Sequence, residues 1–311
     1  MAVTLKNCTE TITLNNGTKI PVIGLGTYLS KQNEVYEAVV TAAKAGYRHV
    51  DTAAFYKNEE QVGKAVKDCG VPRSEMYVTT KVWPTELRDP EAALDKSLKR
   101  LGLEYIDLYL MHWPVTLKTD TIKDGELMCI PRLPDGNADV DKDWTFVQAW
   151  EAMQKLLKSG KVKSIGVSNF SINNIKELLA APTTTVVPVV NQVEVQPLLP
   201  NDELIEFCRS KDIITQAYCP FGGSEAPLIK DATVVEIAKG NGVDAGQVIT
   251  SWHVQRGYVV LPKSVKESRI ISNLKTFTLS DADMTKMNNI SKTQGEKRLN
   301  NVNFSPFPIF E

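Results

Sequence analysis

Residues Ile106-Asp-Leu-Tyr-Leu-Met-His112 form a short, mostly apolar run that ends in a histidine. Short continuous apolar runs are typical of strands that are buried on both faces of a parallel sheet. Seven further runs of this kind occur in the 311-residue chain. They are Val22–Gly26, His49–Thr52, Tyr77–Lys81, Ser164–Ser168, Val189–Val193, Ile213–Tyr218 and Val259–Pro262. The sequence therefore predicts eight buried strands.

Helical patterns separate these runs, with apolar residues at helical spacing and glycines at several ends. They lie at Glu34–Ala45, Glu59–Cys69, Pro90–Leu101, Thr145–Leu157, Ser171–Leu179, Asn201–Lys211, Asp231–Gly240 and Ala245–Arg256. Eight strand–helix units in series predict an α/β fold, the (β/α)8 TIM barrel, as a single domain over residues 1–311. Wider gaps predict long loops after strands 4 and 7.

The two ends of the chain show different patterns. Thr11–Leu14 and Thr18–Pro21 flank Asn16-Gly17, which predicts a β-hairpin cap with a type I′ turn. The residues from Lys292 to Glu311 are rich in Asn, Phe and Pro and lack a helical period, so we expect a C-terminal loop.

Composition excludes several classes of protein. The net charge is −1, whereas a general nucleic-acid binder carries a basic excess. The five cysteines show no CxxC spacing, which favours a reducing compartment over a disulfide scaffold or zinc ribbon. The first residues lack an apolar signal core, and no run approaches a membrane span. We expect a soluble cytoplasmic protein with no membrane or nucleic-acid partner.

Polar side chains stand at the ends of the predicted strands. In a barrel of this kind these ends meet at one face, where active sites are built. Unpaired polar groups there would cost several kcal/mol each, so they must pair with one another or with a ligand. They are Thr27, Asp51, Lys81, His112, Ser168, Asn169, Gln192, Tyr218, Lys263 and Ser264.

Four residues suggest proton-transfer chemistry. Asp51 and Lys81 can form an ion pair, and Tyr56 follows Asp51 by five residues. A free phenol has a pKa of about 10, and we expect the Lys81 ammonium to lower the pKa of Tyr56. With His112 binding a substrate oxygen, Tyr56 becomes a general acid for a carbonyl or a base for an alcohol. Carbonyl reduction also needs a hydride donor, which no side chain supplies.

Competing interpretations remain open at this point. Asp51 and Lys81 could be a purely structural ion pair, and His112 a core histidine. His49 and Asp51 form an H-x-D pair that could bind metal in a barrel hydrolase, yet the chain has only three histidines, so we expect no metal. Gly24-Leu-Gly26 does not continue as the G-x-G-x-x-G dinucleotide fingerprint, because Leu29 stands where that motif needs its third glycine.

The sequence resembles the aldo-keto reductases, in particular a fungal branch with glycerol dehydrogenases and broad carbonyl reductases. The matching stretches run in family order from about residue 12 to the tail. They are Gly24-Leu-Gly-Thr27, Gly46-Tyr-Arg-His-Val-Asp51-Thr-Ala, Tyr56, Thr80-Lys81, Asp107-Leu-Tyr-Leu-Met-His112-Trp-Pro114, Gly166-Val-Ser-Asn-Phe170, Asn191-Gln192, and Leu261-Pro-Lys-Ser264 with Arg269.

The resemblance implies a (β/α)8 barrel that uses NADPH/NADP+. It implies Tyr56 as proton donor, tuned by Asp51 and Lys81, with His112 orienting the carbonyl. It implies a 2′-phosphate site at Lys263, Ser264 and Arg269. The implied cofactor-binding residues are Thr27, Asp51, Ser168, Asn169, Gln192, Tyr218, Cys219, Phe221, Gly222, Lys263, Ser264, Val265, Arg269 and Asn273. The implied substrate-binding residues are Tyr28, Trp83, His112 and Trp113.

The leading hypothesis is an NADPH-dependent reductase of aldehydes and ketones, ketoesters and glyceraldehyde-like substrates included, that also runs toward alcohol oxidation. A small-molecule carbonyl is its expected partner, and a monomer its expected state, with a dimer as the alternative. The rival hypotheses are a non-catalytic NADPH-binding sensor or regulatory subunit and a metal-dependent barrel hydrolase.

Overall fold

The computed structural model describes residues 3–122, 125–223 and 225–311. Its strands are β1 (Lys6–Asn7), β2 (Thr11–Thr13), β3 (Lys19–Pro21), β4 (Leu25–Gly26), β5 (His49–Asp51), β6 (Tyr77–Val82), β7 (Ile106–Met111), β8 (Val162–Ser168), β9 (Val190–Glu194), β10 (Ile214–Tyr218), β11 (Val259–Val260) and β12 (Lys275–Thr276). Strands β4 to β11 pair side by side in chain order, every neighbouring pair parallel.

The first and last strands of this sheet meet and close it into a barrel. Parallel bridges join Ile23 to Val260 and Gly26 to Lys263. The Gly24 N–H donates to the Val260 carbonyl at 3.0 Å, and the Val260 N–H donates to the Val22 carbonyl at 2.8 Å. The predicted (β/α)8 barrel is confirmed, although its first and last strands are shorter than the apolar runs that predicted them.

Helices cover the outside of the barrel. They are α1 (Gln32–Ala45), α2 (Glu59–Asp68), α3 (Pro90–Leu101), α4 (Phe146–Leu156), α5 (Ile172–Ala180), α6 (Asp202–Arg209), α7 (Ala232–Asn241), α8 (Ala245–Gln255), α9 (Glu267–Asn273), α10 (Asp281–Asn288) and α11 (Ile290–Gln294). No described helix is long and apolar enough to cross a membrane.

Helix α3 shows how local sequence sets these bounds. The Asp89 side chain accepts the Ala92 N–H at 3.0 Å and caps the helix start, and Pro90 occupies the first turn, where no N–H is needed. Gly102 ends the helix in the left-handed region, with φ of 60°. Leu94 and Leu98 lie on its buried face against the barrel.

The N-terminal hairpin β2–β3 closes the bottom of the barrel, as predicted. Leu14 and the fully buried Ile20 pack against barrel residues that include Leu108 and Val190. The predicted type I′ turn is wrong, because only Gly17 has a positive φ, at 82°. The Gly17 N–H donates to Leu14 O at 2.9 Å instead, so a longer loop ends in a left-handed glycine.

Two expectations about the C-terminal third need correction. The predicted loop from Lys292 begins inside helix α11, and only the residues after Gln294 are irregular. The short helices α9 and α10 and the pair β1–β12 have no counterpart in the predictions. Helix α9 and the two-residue strands are too short for a periodic pattern to reveal, and α10 buries only Met287, so it shows no apolar face.

Candidate active site

The four predicted catalytic residues converge at the barrel mouth. Lys81 lies near the end of β6 and Asp51 at the end of β5, and both are buried. The Lys81 Nζ donates to Asp51 Oδ1 at 2.6 Å, to the Thr52 carbonyl at 2.9 Å and to Tyr56 Oη at 3.3 Å. An ammonium has three protons and no acceptor, so Tyr56 Oη is the acceptor in the last contact. The phenol's own proton is therefore free to point elsewhere.

The pKa of Tyr56 does not move in the expected direction. Burial and the Asp51 carboxylate together raise the pKa of the phenol well above its usual value of 10.0. The expected net lowering of the Tyr56 pKa is therefore wrong for this pocket, because burial and the Asp51 carboxylate outweigh the stabilisation of a phenolate by the Lys81 ammonium. Tyr56 consequently holds its proton at neutral pH and can act as a donor.

His112 follows β7 and lies beside Tyr56, with their ring centroids 5.8 Å apart. Burial, followed by the Lys81 charge, lowers the pKa of its imidazole well below 6.5, so the ring is neutral. Its Nδ1 is buried without a hydrogen-bond partner among the described residues. A neutral imidazole carries one donor and one acceptor, which suits it to binding a polar ligand atom.

A buried asparagine that the sequence analysis missed holds the Tyr56 loop in place. Asn58 Oδ1 accepts the Thr52 hydroxyl at 2.9 Å, and its Nδ2 donates to the Thr27 carbonyl at 3.0 Å. The Thr27 hydroxyl in turn donates to the Asp51 carbonyl at 2.9 Å. This network ties the Tyr56 turn to strands β4 and β5. The spacing between Asp51 and helix α2 gave no signal of it.

Aromatic side chains form the outer wall of the mouth. The Phe55 and Trp83 rings stack with centroids 3.8 Å apart, and His112 stacks on Trp113 at 6.2 Å. Tyr28, 43% exposed, lies 5.0 Å from the Tyr56 ring and forms the rim. Phe55 was not predicted, although it directly precedes Tyr56. The wall therefore surrounds the Tyr56 hydroxyl and the His112 imidazole with apolar surface.

Amide side chains form the floor beside the catalytic four. Gln192 Nε2 donates to Asp51 Oδ2 at 2.7 Å and to Gln216 Oε1 at 3.0 Å. Asn169, in the left-handed region at φ 63°, accepts the Tyr218 hydroxyl at 2.7 Å and donates to the His112 carbonyl at 3.0 Å. The floor is therefore prearranged by hydrogen bonds within the protein.

A long cleft of about 710 Å³ extends from the mouth across the barrel top. At its far end Lys263 and Arg269 are exposed, and neither has an acidic partner within 4.0 Å among the described residues. Burial, with the nearby Arg269 charge also acting, lowers the pKa of Lys263. Two neighbouring unpaired cations and the Ser264 hydroxyl form a site suited to a phosphate.

Comparison with known proteins decides the family. The profile of the aldo/keto reductase family matches residues 22–292. An aldehyde reductase of Saccharomyces cerevisiae is 57% identical, and a glycerol 2-dehydrogenase (NADP(+)) of the same yeast 56%, each over the full length of both chains. This chain belongs to the aldo/keto reductase family. A solved aldose reductase of Schistosoma japonicum, 36% identical, matches with a TM-score of 0.82 over 90% of this chain and 91% of its own.

Most of the residues predicted from the aldo/keto reductase resemblance line one continuous cleft. Three do not: Lys81 lies behind Tyr56, Ser168 behind Asn169, and Gly222 beneath Leu299. The Ser168 hydroxyl is fully buried and donates to the Gln192 carbonyl at 2.8 Å. The predicted residues in the cleft wall are Thr27, Tyr28, Asp51, Tyr56, Trp83, His112, Trp113, Asn169, Gln192, Tyr218, Cys219, Phe221, Lys263, Ser264, Val265, Arg269 and Asn273.

Other wall residues of this aldo/keto reductase cleft were not predicted. Asp244, Ala245 and Gly246 bring the start of α8 to the cleft, while Leu299 and Asn300 come from the C-terminal tail. Gly246 lies so close to Asn273 that a Cβ there would meet the Asn273 Oδ1 at 2.7 Å. The tail residues carry no motif that sequence alone could have flagged.

His49 is buried inside the barrel and does not resemble a metal ligand. Its Nδ1 lies 3.3 Å from the Pro21 carbonyl and its Nε2 3.1 Å from the Thr79 hydroxyl. Burial lowers the pKa of His49 to about 3. Within the part of the chain that the structure describes, no three His, Cys, Asp or Glu side chains form a metal-binding group.

Proposed function

We propose that this chain reduces aldehydes and ketones to alcohols with NADPH, and runs the reverse oxidation. The observation that carries the proposal is the hydrogen-bonding of Lys81. All three of its ammonium protons are directed to Asp51, Thr52 and Tyr56. Tyr56 Oη accepts one of these protons, so the phenol keeps its own proton to donate to a ligand in the cleft that Tyr56 lines. Yeast relatives named aldehyde reductase and glycerol 2-dehydrogenase (NADP(+)) support this choice of reaction.

The cleft fits a nicotinamide dinucleotide that carries a 2′-phosphate. Lys263, Ser264 and Arg269 would hold that phosphate, because two guanidinium or ammonium groups and a hydroxyl suit its charge and shape. Asn169 and Gln192 would face the carboxamide, and the Tyr218 ring would cover the nicotinamide. When bound, NADPH supplies the hydride.

Tyr56 and His112 act on the substrate oxygen. The neutral His112 ring orients the carbonyl, and Tyr56 Oη gives its proton to the oxygen as negative charge develops there. The phenolate left behind is stabilised by the Lys81 ammonium, 3.3 Å away, which Asp51 keeps in place. The same arrangement takes a proton from an alcohol in the reverse direction.

The aromatic wall supports a carbonyl substrate with an apolar group beside its carbonyl. Phe55, Trp83, Trp113 and Tyr28 offer apolar surface, so the part of the substrate beyond its carbonyl packs against rings. Closing such a pocket also excludes water, which strengthens the hydrogen bonds made by Tyr56 and His112.

The experiment follows NADPH absorbance with glyceraldehyde and with an activated keto ester, beside NADH. Rapid loss with NADPH alone supports both the proton step and the phosphate site. Equal rates with NADH would reject the phosphate assignment and keep the proton step. Tight NADPH binding without turnover would reject the reductase and favour a sensor.

A further inference from the structure

Glu194, the last residue of β9, carries a carboxylate that is fully buried at the barrel mouth. It stands two residues after Gln192, so both side chains point to the same side of the strand. A buried carboxylate costs several kcal/mol unless hydrogen bonds compensate for its lost hydration. Its partners therefore indicate what it is for.

Both carboxylate oxygens of Glu194 are used to hold the C-terminal tail. Oε1 accepts the Leu299 N–H at 2.9 Å, and Oε2 accepts the Asn300 N–H at 2.9 Å. The same stretch is also held by the Lys297 N–H, which donates to Leu198 O at 2.8 Å. Gln196 Nε2 lies 3.3 Å from Glu194 Oε1 and donates to the Lys297 carbonyl at 2.9 Å. We call residues 297–300 the tail clamp.

The tail clamp contacts two parts of the cleft, the loop at Gly222 and the Tyr218 side chain. Leu299 lies against Gly222, where an added Cβ would meet the Leu299 Cδ1 at 3.0 Å, and it lines the wall. Asn300 Nδ2 donates to the Tyr218 hydroxyl at 3.1 Å, which itself donates to Asn169 Oδ1 at 2.7 Å. One hydrogen-bonded series thus runs from Glu194 through Asn300 and Tyr218 to the amide floor.

We propose that Glu194 is a positioning residue, which holds the tail clamp over the cleft. Through the clamp it fixes the position of Leu299 in the cleft wall and the orientation of the Tyr218 ring. The inference rests on the proposed reductase function. Glu194 itself lies outside the cleft wall and acts through Leu299 and Asn300. Its loss frees the clamp, so carbonyl substrates bind more weakly while the proton step at Tyr56 is unchanged.

The decisive variant is Glu194→Gln, which keeps the side-chain volume. The glutamine side chain has only one oxygen acceptor, and its NH2 group would face a backbone N–H donor. At least one of the two bonds that anchor the tail is therefore lost. Trypsin can cut after Lys297 and Arg298, and we expect cleavage there to become roughly tenfold faster as the clamp opens. KM for the carbonyl should rise about fivefold while kcat stays within about twofold.

Two comparisons make the result unambiguous. Glu203→Gln removes a carboxylate from the exposed face of α6 and should change neither the cleavage rate nor KM. Leu299→Pro deletes one donor from the tail side without altering the barrel, and Leu299→Ala keeps that donor. Should Glu194→Gln not fold, the supporting result is faster amide hydrogen exchange at the Asn300 N–H in Leu299→Pro than in Leu299→Ala, a readout that avoids trypsin, which does not cut before proline.

Three results would overturn the proposal: unchanged cleavage in Glu194→Gln, equal hydrogen exchange at the Asn300 N–H in the two Leu299 variants, or faster cleavage of Glu194→Gln with unchanged KM. The last would leave Glu194 with a purely structural role. A wild-type protein that binds NADPH but reduces nothing would overturn the reductase function, and with it the positioning of a substrate wall. Cleavage rates would still report separately whether Glu194 holds the clamp.

Discussion

At the scale of single residues, the hydroxyl of Tyr56 is the group on which the chemistry depends. Tyr56→Phe removes the proton donor and leaves the ring, so kcat should fall by about 10²–10⁴-fold, as expected for loss of a general acid. NADPH affinity should stay within about twofold. Tyr36→Phe, at a surface hydroxyl bonded to Asp68, is the matched control and should keep full activity. Steady-state kinetics and fluorescence titration measure the two quantities.

The cation pair at the far end of the cleft decides the choice of cofactor. Lys263→Met or Arg269→Met removes a charge-assisted contact of about 1.5–3 kcal/mol, so the Kd for NADPH should rise roughly 10- to 100-fold. The Kd for NADH, which lacks the phosphate, should not change. Lys239→Met on the exposed side of α7 serves as control. Equal losses for both cofactors would contradict a phosphate site.

At the scale of elements, the short turn that carries Tyr56 depends on Asn58. Asn58→Ala breaks two buried hydrogen bonds: the Thr52 hydroxyl loses its acceptor, and the Thr27 carbonyl keeps only the Ser30 N–H, at 3.2 Å. We expect a loss of about 2–4 kcal/mol in unfolding free energy and a lower kcat, because Tyr56 is no longer held against Lys81. Asn241→Ala, at the last residue of α7, should leave kcat unaltered. Thermal unfolding and turnover test both parts.

The same elements show how far sequence alone reaches. Strand β6 could be predicted because the signal for a buried strand is local: it lies in the residue types and the length of one short run and in the helical patterns on either side of it. Lys81 was recognised as special because an ammonium cannot end a buried strand without a partner. Leu299, Asn300 and Glu194 could not be brought together in this way, because over 100 residues separate the two sides of their contacts. The pKa direction of Tyr56 likewise depends on burial, which the sequence does not contain.

At the scale of the whole molecule, all three histidines of the chain are buried and neutral. Burial lowers the pKa of His49 to about 3 and that of His253 to about 4, and it lowers the pKa of His112 well below 6.5. In the unfolded chain each imidazole takes up a proton near pH 6.5. The unfolded state therefore binds more protons below that pH, and stability falls as the pH decreases.

This linkage predicts a steep loss of stability in mild acid. Each histidine contributes about 1.4 kcal/mol per pH unit below 6.5, so the three together remove about 4 kcal/mol per unit from a total that is typically 5–15 kcal/mol. The unfolding free energy, measured with urea from pH 7.5 to pH 5, should be flat above 7 and fall steeply below 6. His49→Gln should reduce the slope by about a third, because one titrating group is removed. An unfolding free energy that stays constant from pH 7.5 to pH 5 would mean that the histidines take up protons in the folded barrel as they do in the unfolded chain. His112 would then lack the neutral ring assigned to it beside Tyr56.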